Sequence, residues 1–335
     1  MKVLFDHGMP FALAHGGFQV QIEQTKLALE QLGVEVEWVR WWDENQRGDL
    51  IHYFGTTDSS NLECARLLGL PTVMTTLFTA ACNRPPSRLA LQGAFIRTLA
   101  RQPFGEGFKK KLPWAAYHLV DCNVVGLETE RRVFEMVHGV KSEHTAVVPL
   151  GLSAAFLQAG PGSRQDPRLI CVGTITDRKN SVPLAQLAKH AEVPILFVGK
   201  PYSETDPYWK SFAELIDHRW VYHHPHVGSE KEMIALLQAA RGAVVMSRYE
   251  NWCLVAHEAA ACGLPLLLPS LPWAHERFGE RATYFPASPE DHAARLRKFY
   301  DDCPQLPAPG IRLHSWLEVG QELKALYTRL LNTSR

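Results

Sequence analysis

The chain has 335 residues, with 35 Lys and Arg against 35 Asp and Glu, so its formal net charge is zero; 46% of residues are hydrophobic and 21% charged. This balance gives no electrostatic reason to expect nucleic acid as a partner, and the composition is that of a globular protein, not a disordered one. The length suits two domains, each large enough for its own core. Seven scattered cysteines (64, 82, 122, 171, 253, 262 and 303) form no CxxC pair, which points to a reducing cytoplasm.

The opening MKVLFDHGMPFALAHGG has an apolar stretch broken by Asp6, His7 and Pro10, and reads as a first strand and loop instead of a secretion signal. No segment reaches transmembrane length without charge. Short apolar strands then alternate with helix-length amphipathic segments, the pattern of parallel α/β layers. A first series is expected at 3–5, 34–39, 49–55, 71–76, 122–127 and 145–151. A second is expected at 169–174, 194–199, 221–227, 242–247, 265–270 and 283–285. Between them AGPGSRQDP (159–167) reads as a linker. This divides the chain into Rossmann-like, doubly wound domains at 1–160 and 167–311, with a terminal amphipathic helix within 312–335. Ligands in such sheets bind at the carboxyl ends of the strands, here in a cleft between the domains.

The chemistry concentrates in three places. In YENWCLVAHEAAACGLP (249–265), Glu250 is expected on a loop at a strand's carboxyl end and Glu258 inside the helix that follows. A carboxylate accepts two sugar hydroxyls, and first-turn N–H groups between the two acids suit an anion. In VGTITDRKN (172–180) a strand ends at Gly173, and a turn presents Arg178 and Lys179 before a helix, a combination suited to a diphosphate. In His15-Gly16-Gly17-Phe18 paired glycines precede a helix and allow close backbone approach to a ligand. GxGxxG and GxxxxGK[ST] spacings are absent, which argues against dinucleotide and P-loop chemistry.

Together these motifs resemble the retaining GT-B glycosyltransferases, family 4 (the group 1 glycosyltransferases). The two glutamates and EAAACGLP resemble the family's paired-acid segment and its EAxAxGxP-like continuation. VGTITDRKN resembles its Gly-x-x-x-x-(Arg)-Lys element, and the Gly-Gly its donor-facing loop. Further matches lie at VVPLGL (147–152), FVGK (197–200) and 225–250. The resemblance implies a GT-B fold and transfer of a sugar from a nucleoside-diphosphate sugar to a hydroxyl of a glycan or lipid-linked acceptor, with retained configuration.

It also implies roles. Glu258 would hold the ribose hydroxyls and Glu250 the transferred sugar. Lys179 and Arg178 would stabilise the leaving diphosphate, with amides near Asn251, Leu254 and Val255. Gly16, Gly17 and Gly173 would approach the donor, and backbone near His226 and Val227 would meet the base. No cofactor is expected, and no metal, since an Asp-x-Asp diphosphate motif is missing and the cations replace it. His223, His224 and His226 are read on one strand, without ligand spacing for zinc.

Three departures stand out. Leu77 or Phe78 occupies the place of a family histidine, leaving His7, His15 or His52 as substitutes or as ordinary structural residues. Thr174 and Asn180 replace a usual arginine and glycine. Asn251-Trp252-Cys253 replaces a Gly-rich run and is expected to reshape the sugar pocket. Finally, Arg84, Arg88, Arg97, Arg101 and Lys109–Lys111, interleaved with Phe95, Phe104 and Phe108, read either as a solvated helical face or as a peripheral contact with an anionic membrane. The alternatives to transfer are a non-catalytic nucleotide-sugar-binding GT-B protein, a nucleotide-sugar epimerase or a phosphorylase.

Overall fold

A computed structural model describes residues 1–8, 10, 11, 16–78, 80–101 and 114–333, the side chains at 100 and 101 apart. His15 and the 102–113 part of the basic stretch therefore lie outside the described residues. In chain order the elements are β1 (Lys2–His7), α1 (Gly17–Gln31), β2 (Glu35–Trp38), β3 (Leu50–Phe54), α2 (Ser59–Leu67), β4 (Thr72–Thr75), α3 (Pro86–Arg101), α4 (Ala116–Leu119), β5 (Cys122–Val125), α5 (Glu128–Val133) and β6 (Thr145–Val147). There follow α6 (Ala154–Ala159), β7 (Leu169–Val172), α7 (Ser181–His190), β8 (Ile195–Val198), α8 (Pro207–Ala213), β9 (Val221–His224), α9 (Glu230–Ala239) and β10 (Gly242–Val244). The chain continues with α10 (Leu254–Ala261), β11 (Leu266–Leu268), α11 (Pro272–Phe278), β12 (Thr283–Tyr284), α12 (His292–Asp302) and α13 (Trp316–Thr333).

Two compact units result: residues 1–151 with 314–335, and residues 152–313. The boundary falls earlier than 160. Helix α6 groups with the second unit, where it packs on α9 and α10 and where Gln238 Nε2 donates to the Ala159 and Gly160 carbonyls at 2.8 and 3.1 Å.

In the first unit six parallel strands lie in the order β2-β1-β3-β4-β5-β6. Strands buried on both faces read as unbroken apolar runs, which is why CNVV and TVMT form strands here. The register pairs Asp6 with Tyr53 and His7 with Phe54, so the first pair faces one side of the sheet and the second the other. On the side of Tyr53, that residue packs with Leu62, Met74, Phe78, Phe134 and Val137 into one core. On the other side lies α13, which opens with a capping box: Ser315 Oγ accepts the Glu318 N–H at 3.1 Å, and Glu318 Oε2 accepts the Ser315 N–H at 2.7 Å. Gly320 lets α13 lie close on α1; a Cβ there would sit 3.0 Å from Ala28 Cβ. The Tyr327 hydroxyl is 2.6 Å from His52 Nδ1.

The second unit has six parallel strands in the order β12-β11-β10-β7-β8-β9. Its core gathers Leu169, Leu184, Ile195, Phe197, Phe212, Val244, Leu267 and Phe299. Strand β9 ends at His224, three residues short of the expected 227, because Pro225 cannot donate to the ladder. His224 and His226 therefore do not share a strand face: His226 lies beyond the strand, and His223 Nε2 turns to the Gly199 carbonyl at 2.8 Å. The order in which strands are added reverses once in each sheet, between β1 and β3 in the first unit and between β7 and β10 in the second. Carboxyl ends of strands at such a reversal leave a crevice where ligands bind.

Candidate functional site

The reversal between β7 and β10 carries the paired charges. Gly173 ends β7 at φ 153°, and a Cβ there would press on Lys179 Cε at 3.3 Å. Gly199 at the end of β8 is tighter still, since a Cβ would lie 2.2 Å from the Gly173 carbonyl oxygen. The turn then reaches Asn180, which precedes α7 in the left-handed conformation at φ 60°, ψ 34°. Asparagine is one of the few side-chain-bearing residues that tolerate this region, so Asn180 does the conformational work of the expected glycine.

The turn brings Arg178 and Lys179 against Glu250, beyond β10. Arg178 Nη1 donates to Glu250 Oε1 at 2.8 Å and Lys179 Nζ donates to the same oxygen at 2.5 Å. Glu250 is 5% exposed. Burial alone would push its pKa up, but Lys179 and Arg178 hold it below the usual carboxylate value. Burial likewise opposes the charge on Lys179, and the Glu250 carboxylate more than restores it. Two cations on one carboxylate leave the cluster with a net positive charge. A clasp fixes it from behind: the Arg248 N–H donates to the Arg178 carbonyl at 2.9 Å, and the Arg248 guanidinium pairs with Asp177 at 3.0 Å.

Helix α10 rises from Cys253, itself left-handed at φ 57°, and ends in Gly263 at φ 77°, a C-terminal glycine cap. A left-handed cysteine stores strain, and residues held this way cluster at functional sites. Leu254 and Val255 form the first turn, whose N–H groups lack partners inside the helix. Glu258, half-buried, has its pKa raised to about 7, first by burial and then by Glu230, with Lys179 acting in the opposite sense. Gly173, Arg178, Lys179, Glu250, Leu254, Val255 and Glu258 thus come together at one sheet reversal. Asn251 lies in the loop between the acids. His226 and the buried Val227 follow β9, two strands from β7, on the same carboxyl edge of the sheet. Gly16 and Gly17 belong to the first unit, where Gly16 precedes α1 at φ 144°.

Trp252 is turned away from solvent. It is 2% exposed and stacks on His257 with ring centroids 4.7 Å apart, while the Arg277 guanidinium covers it at 4.4 Å. His257 Nδ1 faces the Cys253 carbonyl at 3.1 Å, and its Nε2 accepts from Arg277 Nε at 3.2 Å, which sets the Nδ1–H tautomer. The stack braces the loop between the two acids from behind. Sequence reading missed it because Arg277 is distant in the chain.

Of the substitute histidines, His52 is excluded. It is fully buried between Tyr327 and Thr75, whose Oγ1 is 2.7 Å from Nε2, and burial lowers its pKa to about 3. His7 is partly exposed, with Nδ1 3.0 Å from the Phe54 carbonyl. Phe78 is packed into the core, and its N–H donates to Glu130 Oε1 at 3.1 Å while the Gly126 N–H donates to Oε2 at 3.0 Å. This buried glutamate ties the loops after β4 and β5; its spacing carries no motif, so only the fold reveals it.

Among solved structures, the chain is similar to HepE from Anabaena in complex with UDP and glucose, at 14% identity over 98% of this chain and 99% of that one, with a TM-score of 0.67. It is also similar to a sucrose-phosphate synthase from Thermosynechococcus elongatus, at 15% identity over 99% and 100% of the two chains, with a TM-score of 0.71. A glycosyltransferase from Rickettsia africae shares 11% identity over 99% and 93%, with a TM-score of 0.59. No curated protein is a significant match by sequence. The fold is that of the GT-B glycosyltransferases: two Rossmann-like α/β units, each with a parallel six-stranded sheet. Residues 166–302 match the family model "Glycosyl transferases group 1".

Proposed function

We propose that the protein is a retaining glycosyltransferase that moves a hexose from a nucleoside-diphosphate sugar to an acceptor hydroxyl without a metal ion or other cofactor. The observation that carries this reading is the buried Glu250, in the loop that leads into α10, with Arg178 and Lys179 on one of its oxygens. The surplus positive charge and the helix N-terminus suit a diphosphate, and they supply charge that a divalent ion would otherwise provide. In this reading Glu258, as carboxylate, accepts the two ribose hydroxyls. Lys179 and Arg178 neutralise the leaving diphosphate, and Glu250 takes the sugar's hydroxyls while fixing both cations. Amides at Leu254 and Val255 add donors aimed at developing phosphate charge. Asn251 and Gly173 lie against the donor, with Val227 and His226 toward its base. The similarity to a structure crystallised with UDP and glucose supports a uridine donor.

Calorimetry with UDP, GDP and ADP in EDTA tests it: one nucleotide should bind, and Lys179→Ala should lose it. Binding only after divalent metal is added would refute metal independence. Once an acceptor is in hand, NMR of the product anomer decides between retention and inversion.

A peripheral membrane contact forms a second element of the reading. Leu91 and Phe95 on α3 are 73% and 63% exposed and stand beside exposed Arg84 and Arg88, an apolar stripe with cationic edges. None of the helices, among the described residues, is long and apolar enough to cross a membrane. Cys64, Cys122, Cys171, Cys253, Cys262 and Cys303 carry free thiols, in keeping with a cytoplasmic setting. Co-sedimentation with vesicles of anionic lipid, abolished by Leu91→Glu, would support the contact.

A further inference from the structure

The first unit has its own pocket at its own sheet reversal, and its chemistry differs from that of the second. A cavity of about 610 Å³ opens at the carboxyl ends of β1 and β3, within the range of small-molecule sites. Asp6 and Tyr53 face it as register partners, and Thr56, Thr57 and Asn61 add hydroxyl and amide groups. Trp41 stands at the wall with 78% of its surface exposed, and Asp6 lines the same cavity. An exposed aromatic face and a carboxylate thus border one polar cavity.

The walls carry Asp6 and Asp58 and, among the described residues, no Lys, Arg or His. Two acids without a cation disfavour phosphates, nucleotides and anionic headgroups. What remains suited is a neutral polyhydroxylated ring. Its axial C–H face would lie on the indole, and its hydroxyls would meet the carboxylate, threonines and amide.

Resting on the reading of the protein as a glycosyltransferase, we infer that this pocket binds an uncharged sugar unit of the acceptor, with Trp41 as stacking platform and Asp6 as hydroxyl acceptor. The acceptor is therefore a glycan recognised through a neutral ring, and any lipid or phosphate it carries lies outside this pocket.

The test applies the intact protein to an array of neutral mono- to tetrasaccharides, with affinities of retained sugars measured by calorimetry. The same samples are titrated with UDP, GDP and ADP. At least one neutral saccharide should bind, and Trp41→Ala should weaken it by at least about fivefold. Trp42→Ala, equally exposed at 81% but outside the cavity wall, should leave affinity unchanged. Asp6→Asn, which keeps the shape, should weaken binding while nucleotide affinity holds. No neutral saccharide retained, or equal losses from both tryptophan variants, overturns the inference. Nucleotide bound without saccharide sinks this pocket and spares the donor site; saccharide bound without nucleotide supports the pocket and sinks the donor site.

Discussion

Replacing Glu258 by glutamine should stabilise the protein at alkaline pH and hardly at all in mild acid. The carboxyl has a pKa of about 7 in the folded chain against an ordinary 4.5, because its surroundings desolvate it and the charge of Glu230 opposes its own. A group raised on folding contributes stability that is whole below pH 4.5 and is lost as pH rises through 7. At 1.36 kcal/mol per pH unit, the penalty is about 3 kcal/mol at pH 8 and under about 1 kcal/mol at pH 5. Glutamine keeps the shape without the charge, so Glu258→Gln should gain about 2 kcal/mol more at pH 8 than at pH 5. For a unit of this size that is about 4–8 °C in melting temperature. Differential scanning calorimetry at both pH values reads the difference directly. Equal shifts at the two pH values, or a loss at pH 8, would refute the environment assigned to Glu258. The same variant should lose nucleotide affinity, so the acid is kept at a cost to stability.

Further outcomes follow from the same geometry. Lys179→Ala should weaken nucleoside-diphosphate binding about 10–100-fold by calorimetry, the loss of a charge-assisted contact. Gly199→Ala should destabilise by about 3 kcal/mol or more in urea unfolding, because its Cβ would strike the Gly173 carbonyl at 2.2 Å in a backbone conformation that disfavours side chains. Tyr327→Phe should cost about 1–2 kcal/mol, as His52 loses a buried partner, and nucleotide affinity should not change.

The secondary structure was legible because inner parallel strands, buried on both faces, must be apolar runs, and all twelve expected segments contain a strand. The charged cluster was legible because Gly173, Arg178 and Lys179 lie within one turn, and Glu250 and Glu258 within one loop and helix. What escaped were long-range pairings. Glu130 joins the loops after two strands, and Arg277 closes on Trp252 from 25 positions away. Nothing local marks either. Trp252 illustrates the limit: its size suggested a reshaped pocket, and only the fold shows it buried and stacked on His257. Asn180 shows the reverse, since its departure from glycine lost nothing conformationally.

The order of the units along the chain constrains synthesis. Residues 152–313 form an uninterrupted unit, whereas the sheet of 1–151 is completed by a helix beginning at Trp316. At about 5–20 residues per second, the earlier segment waits roughly 8–32 s for the intervening 162 residues before its last piece emerges. Over that interval the side of β3 bearing His52 lacks the tyrosine that seals it, and the nascent chain exposes surface that a chaperone would recognise. The later-made unit is thus the first able to finish folding, and the first-made the last.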